Sequence, residues 1–153
     1  MVFENRKKAN NIKFLFLLLV PVYLIILVMS IFMEFFEGFW FQIAWTAAFL
    51  VIYAFLLMRG LNYIYLNTKT DKIIFRYVTL NPITKIHTSI EIPKVSFAKY
   101  EIKKILSGFK TNIIFYQTTH KGTAPYDPVS ITTMTKDEIE SIRQELDKYV
   151  KKV

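Results

Sequence analysis

The sequence predicts a membrane-spanning helical hairpin followed by a small α+β domain, an antiparallel sheet closed by a C-terminal amphipathic helix. Three observations predict it. Phe14 to Met33 and Phe39 to Met58 are apolar runs of about twenty residues without an ionisable side chain, the length at which a helix matches bilayer hydrocarbon. From Gly60 onward apolar and polar residues alternate with period two, the pattern of half-buried strands. Thr135 to Val153 carries one apolar stripe at helical spacing behind a capping signal.

The spacer Glu34 to Gly38 is short enough to require a tight turn between the spans. A secretory signal is the competing reading of the first run, behind the basic Arg6, Lys7 and Lys8. Its apolar region would be roughly 7 to 15 residues and end in small residues, whereas this run is longer and ends in Phe32, Met33 and Glu34. Both helices are therefore expected to stay. Arg6, Lys7, Lys8 and Lys13 precede the first span, Arg59, Lys69 and Lys72 follow the second, and the connection carries only Glu34 and Glu37. Positive-inside bias then puts both termini in the cytoplasm. Phe35, Phe36, Phe39, Trp40 and Phe41 fall where aromatic side chains would meet the outer headgroups, and Tyr63 and Tyr65 are assigned to the inner ones. Pro21 either kinks the first helix or lies in its first turns. The spans offer Ser30, Gln42 and Thr46, with Ala44, Ala47 and Ala48, as close-packing or hydrogen-bonding positions within the chain or toward a partner. No intramembrane ionisable group marks a transport path.

Residues 60–153 form the second domain, after a basic segment and hairpin over 1–59. Lys72 to Leu80 reads as a strand and Asn81-Pro82 as a turn. A strand resumes near Ile86, through Thr88 to Ile92, and Val95 and Phe97 continue the alternation after Pro93. Tyr100 to Phe109 is read as strand end plus loop, although Ile102, Ile105 and Leu106 also fit helical spacing. Asn112 to Tyr116 is a strand, His120-Lys121-Gly122 and Pro125 to Pro128 are loop, and Val129, Ile131 and Thr133 alternate as one more, giving six or seven strands. In the last element Thr135 is the N-cap and Glu138 completes a capping box. Ile139, Ile142, Leu146, Tyr149 and Val153 form the stripe. Asp137, Glu138 and Glu140 near the start, and Lys148, Lys151 and Lys152 near the end, complement the helix dipole.

Asp71 to Phe75 opening the sheet, Gly108-Phe109-Lys110 before the strand Asn112 to Tyr116, and Val129-Ser130-Ile131 leading to the helix at Thr135 resemble the bacterial PH-like domain proteins over roughly Leu61 to Val153. The resemblance implies a bent antiparallel sheet or partly open barrel, closed at one end by a C-terminal helix and preceded by two transmembrane helices. It also implies a bacterial inner membrane, and the abundance of Ile, Lys, Asn, Phe and Tyr fits an AT-rich genome. A small barrel of another type with a terminal helix fits the same pattern.

Sequence chemistry is sparse. Cysteine is absent, which removes disulfides, thiol nucleophiles and cysteine metal sites. His87 and His120 lack metal-ligand spacing, Ser89, Ser96, Ser107 and Ser130 lack a nucleophile-elbow context, and none of the four glycines belongs to a phosphate-cradling loop. Asp137, Glu138, Glu140, Glu145 and Asp147 belong to a helix face, and Asp71 to a turn. Asp127 beside Tyr126 and His120 is explained by loop closure as well as by acid/base chemistry. The expectation is no enzyme, cofactor, metal or nucleic-acid partner. A net charge of +8 points to anionic lipid instead. Lys94, Lys99, Lys103, Lys104 and Lys110, with Lys121, are the candidate membrane-facing patch, since a lysine near an anionic leaflet is worth about 1 kcal/mol. They also fit solubilising charges scattered over a sheet. The expected role is a scaffold or accessory subunit at the cytoplasmic face, contacting membrane lipids and a protein partner or further copies of itself. The other reading is an oligomerising or channel-forming effector regulated by its cytoplasmic domain.

Overall fold

The structure, a computed structural model, describes residues 1–32, 39–83 and 86–150. Met33, the expected turn residues Glu34, Phe35, Phe36, Glu37 and Gly38, and the stripe and dipole residues Lys151, Lys152 and Val153 lie outside the described residues.

The two apolar runs form α1 (Arg6–Phe32) and α2 (Phe39–Met58). α2 coincides with its run, whereas α1 starts about two turns before Phe14, and Pro21 lies in its interior. Both are long and apolar enough to cross a membrane. α2 buries none of its residues and α1 only Ala9, Phe16 and Ser30. A core helix of this composition would be covered by protein, whereas these helices leave most of their apolar surface uncovered. Their mutual contact is aromatic: Tyr23 of α1 stacks on Phe49 of α2 at 4.3 Å between ring centroids and Phe16 meets Tyr53 edge-on, while within α2 Phe49 stacks on Tyr53 at 5.8 Å.

Among the described residues eight strands make two antiparallel sheets. β1 (Val2–Glu4), β2 (Asn62–Asn67), β3 (Lys72–Thr79) and β4 (His87–Pro93) lie side by side in that order. In the second sheet β6 (Lys110–Thr119) is central. β5 (Phe97–Ile105) flanks one edge, while β7 (Gly122–Pro125) and the two-residue β8 (Val129–Ser130) share the other. The sheets do not close into a barrel, and among the described residues no ladder joins β4 to β5. The expected antiparallel β-structure with a C-terminal helix is thus present, as two sheets and α3 (Lys136–Asp147).

Several local expectations change with this. Tyr63 and Tyr65 lie on β2, where Asn62, Ile64 and Leu66 alternate inward, and Tyr63 packs beside the helix ends. Val95 sits in a 3-10 turn, Lys94–Ser96, and is 80% exposed, so the chain turns there between sheets. Tyr100 to Ile105 stays extended within β5. Beyond Ser130 the last alternating segment leaves the ladder, although Ile131 and Thr133 remain buried.

The core forms where the inner faces of both sheets meet. Ile64, Leu66, Ile73, Phe75, Ile90 and Ile92 come from the first, Phe97, Ile113 and Phe115 from the second. Register aligns Leu66 with Phe75 and Phe75 with Ile90, while Phe75 lies 4.9 Å from Phe115 across the sheets. α3 (Lys136–Asp147) closes this core with Ile142 and Leu146. Its capping box is present as expected: the Thr135 hydroxyl accepts from the Glu138 amide, and the Glu138 carboxylate accepts from the Thr135 amide. Tyr100 donates to Asp147 at 2.6 Å, tying α3 to β5. Burial, together with the Asp147 bond, raises the Tyr100 hydroxyl above its ordinary pKa.

Candidate functional site: the junction between helices and sheets

β1 runs into α1 through Asn5 alone, and α2 returns to β2 across Arg59, Gly60 and Leu61. Because β1 and β2 pair, Val2 opposite Asn67 and Glu4 opposite Tyr65, the helical hairpin is the connection of a β-hairpin. The N-terminal residues and the sheet domain consequently lie at the same end of the helices. Gly60, at φ +59°, makes the sharp exit from α2, a left-handed conformation that glycine adopts without a Cβ penalty.

A buried polar knot holds this joint. The Asn5 carboxamide oxygen accepts from the Ile64 amide at 2.7 Å, and its nitrogen donates to the Thr133 hydroxyl at 2.8 Å and the Asn62 carbonyl at 3.2 Å. Asn62 donates to the Ser130 carbonyl at 2.9 Å, Thr133 to the Asn62 carbonyl at 2.8 Å, and Ser130 to the Arg59 carbonyl at 3.2 Å. These bonds join the start of α1, the end of α2 and the segment leading to α3. Lys8 adds an ion pair to Glu138 at 2.6 Å. Farther along the domain, Glu145 is buried and accepts from Thr68, Lys148 and the Met1 amine. Lys148 foremost, then Thr68, holds its carboxyl down to about 2.

Around the knot lies a second apolar cluster of Ala9, Phe16, Leu61 and Leu80, with Ile12, Tyr53, Leu56, Leu57 and Tyr63 packed against it. It seats Leu80, just past the end of β3, against both helices. Beside it opens a cleft of about 680 Å³. Lys13, Asn81 and His87 line its domain end, and Phe16, Leu17, Val20 and Pro21 line it along α1. On the other side of the junction, Phe109 at the tip of the β5–β6 hairpin packs edge-on against Phe55, in the last turn of α2, at 5.6 Å. Ile105 and Phe109 remain exposed there.

The six lysines do not share one surface. Lys99 and Lys103 lie on the outer face of β5 with Glu101 between them, at 2.7 and 3.0 Å. Their bonds, Lys99 foremost, bring the Glu101 carboxyl down to about 2, and the same bonds raise both lysines. Lys104 points to the opposite face, because alternate strand residues do. Lys94 sits over the Tyr149 ring at 4.5 Å. Lys110 reaches over Gly60 at the junction, and Lys121 occupies the distant β6–β7 turn. Within the hairpin, Thr46 meets Tyr23 at 3.1 Å, and Ser30 is buried but donates to its own helix, at the Leu27 carbonyl. Gln42 is half-buried, while Ala44, Ala47 and Ala48 are exposed rather than packed against α1.

Asn5, Thr133 and Leu80 escape sequence reasoning, because their partners lie far along the chain. The one local sign is the absence of any linker between Met58 and the first alternating residues. Tyr126 bonds Gln117 at 2.6 Å, while Asp127 and His120 are exposed. Among the described residues no set of three or more His, Asp or Glu side chains converges to hold a metal. What the junction offers is mechanical coupling between an apolar hairpin and a folded domain. Compared with protein-family models, with curated proteins and with solved structures, the chain finds no match.

Proposed function

We propose that this chain is a membrane-anchored PH-like module, a scaffold or accessory subunit held at the cytoplasmic face by a two-helix anchor. The observation that carries the reading is the linkerless joint. Both apolar helices continue into paired strands, and a buried polar knot locks their ends to the domain. A tether that only kept a domain near a surface would need neither feature. The net charge of +8 and the basic residues at the domain end of the helices, Arg6, Lys7, Lys8, Lys13 and Arg59, favour an anionic inner leaflet as the facing surface. The exposed Ala44, Ala47 and Ala48 leave α2 free for lateral contact with a partner subunit or a second copy.

The test is purification of the tagged full-length protein from its membrane in mild detergent, native mass determination, and reconstitution into sealed liposomes. A defined complex that leaves the liposomes impermeable to ions is the expected result. Sustained channel currents would replace this reading with that of a pore-forming effector.

A further inference from the structure

We propose that the cleft between α1 and the β3–β4 turn binds one anionic phospholipid, its phosphate at Lys13 and His87 and an acyl chain along Leu17 and Val20. The proposal rests on the membrane reading above and names a ligand for it. The cleft's volume of about 680 Å³ falls within the range of small-molecule sites, roughly 300 to 1,000 Å³. Its lining is two-sided along the helix axis. Lys13 stands where the apolar run of α1 begins, and Pro21 lies eight residues on, about 12 Å deeper. An amphiphile standing parallel to α1 therefore meets a cation at one end and hydrocarbon along the rest.

Charge selects the headgroup. The cleft's lining contains the Lys13 ammonium, the His87 imidazole and the Asn81 carboxamide, all able to donate, and among the described residues no carboxylate. Shape selects a lipid over a free anion, because inorganic phosphate would cover only the domain end. Phe16, Leu17, Val20, Pro21 and Tyr53 would still face an empty groove at a depth where water is excluded. Leu80, buried behind the cleft in the apolar cluster, makes its wall part of the joint. An occupied cleft would thus brace the domain against the hairpin.

The experiment uses full-length protein in nanodiscs of mixed phosphatidylglycerol and phosphatidylcholine, followed by native mass spectrometry of the lipid retained on release. Wild type should retain one phosphatidylglycerol per chain in preference to phosphatidylcholine. Lys13→Glu should lower that retention about fivefold or more. Val20→Trp and Leu17→Trp, both at exposed helix positions, should abolish it by filling the groove, and Lys99→Glu should leave it unchanged. Equal retention of the two lipids, or retention untouched in the tryptophan variants, would overturn the proposal. Displacement by excess inorganic phosphate would assign the site to a free anion and overturn it equally. Release of the wild-type protein from membranes by alkaline carbonate would overturn the membrane reading itself, and firm membrane retention without bound lipid would overturn the lipid site alone.

Discussion

Asn5 satisfies three buried groups on segments 57 to 128 residues away, so its removal should be felt far beyond its own position. In Asn5→Ala the Ile64 amide loses this acceptor inside the protein, where an unmet donor costs about 1–3 kcal/mol. Thermal unfolding of the full-length protein in detergent should show a correspondingly lower midpoint; an unchanged midpoint would mean the knot is dispensable. Glu145 gives a pH signature. Its folded pKa of about 2 lies below the ordinary 4.5, so its contribution is complete above 4.5 and lost as pH falls toward 2. Glu145→Gln should therefore flatten the acid limb of the stability profile in that window, measured by unfolding at stepped pH. Neither role is legible in the sequence. Asn5 stands in a polar, basic segment that looks solvated, and Glu145 looks like one more charge on a helix face. Their partners are fixed only by the tertiary fold.

Elements were legible in proportion to how local their determinants are. The capping box of α3 needs only Thr135 and Glu138, four positions of sequence, and is present as read. The inward alternation of β3, β4 and β6 needs only its own side chains. β1 has three residues and takes its register from β2, so nothing within Val2 to Glu4 announces it. The lysine patch dissolves for a related reason: neighbours in sequence alternate faces on β5, and Glu101 stands between two of them. At the joint, Gly60→Ala forces a Cβ into a left-handed conformation, costing about 1–2 kcal/mol, and sets it 3.3 Å from the Ser130 Cβ. Thermal unfolding should fall accordingly. The β5–β6 tip makes a separate prediction. With no native cysteine to interfere, a polarity-sensitive dye on Ser107→Cys in nanodiscs should report an apolar setting, and adding Phe109→Ser should shift it toward water. The same dye on Lys121→Cys should read as aqueous throughout.

At the scale of the molecule, the helical hairpin is inserted into a strand pair. Paired strands lie about 4.8 Å apart while packed helices lie 8–10 Å apart, so α1 and α2 must splay as they leave β1 and β2. The second apolar cluster and the cleft occupy the region where they do so. Any change in the separation of the helices would reach β1 and β2 directly, because no flexible linker stands between them. In the anchored arrangement proposed above, both helices cross the bilayer with the whole sheet domain on one side. Single cysteines decide it: Lys121→Cys in the β6–β7 turn, and Glu37→Cys in the connection between the helices. Labelled with a membrane-impermeant maleimide in right-side-out and inverted vesicles, position 37 should react only in the first and position 121 only in the second. Reaction of both positions from the same side would contradict the spanning hairpin and the anchored module built on it.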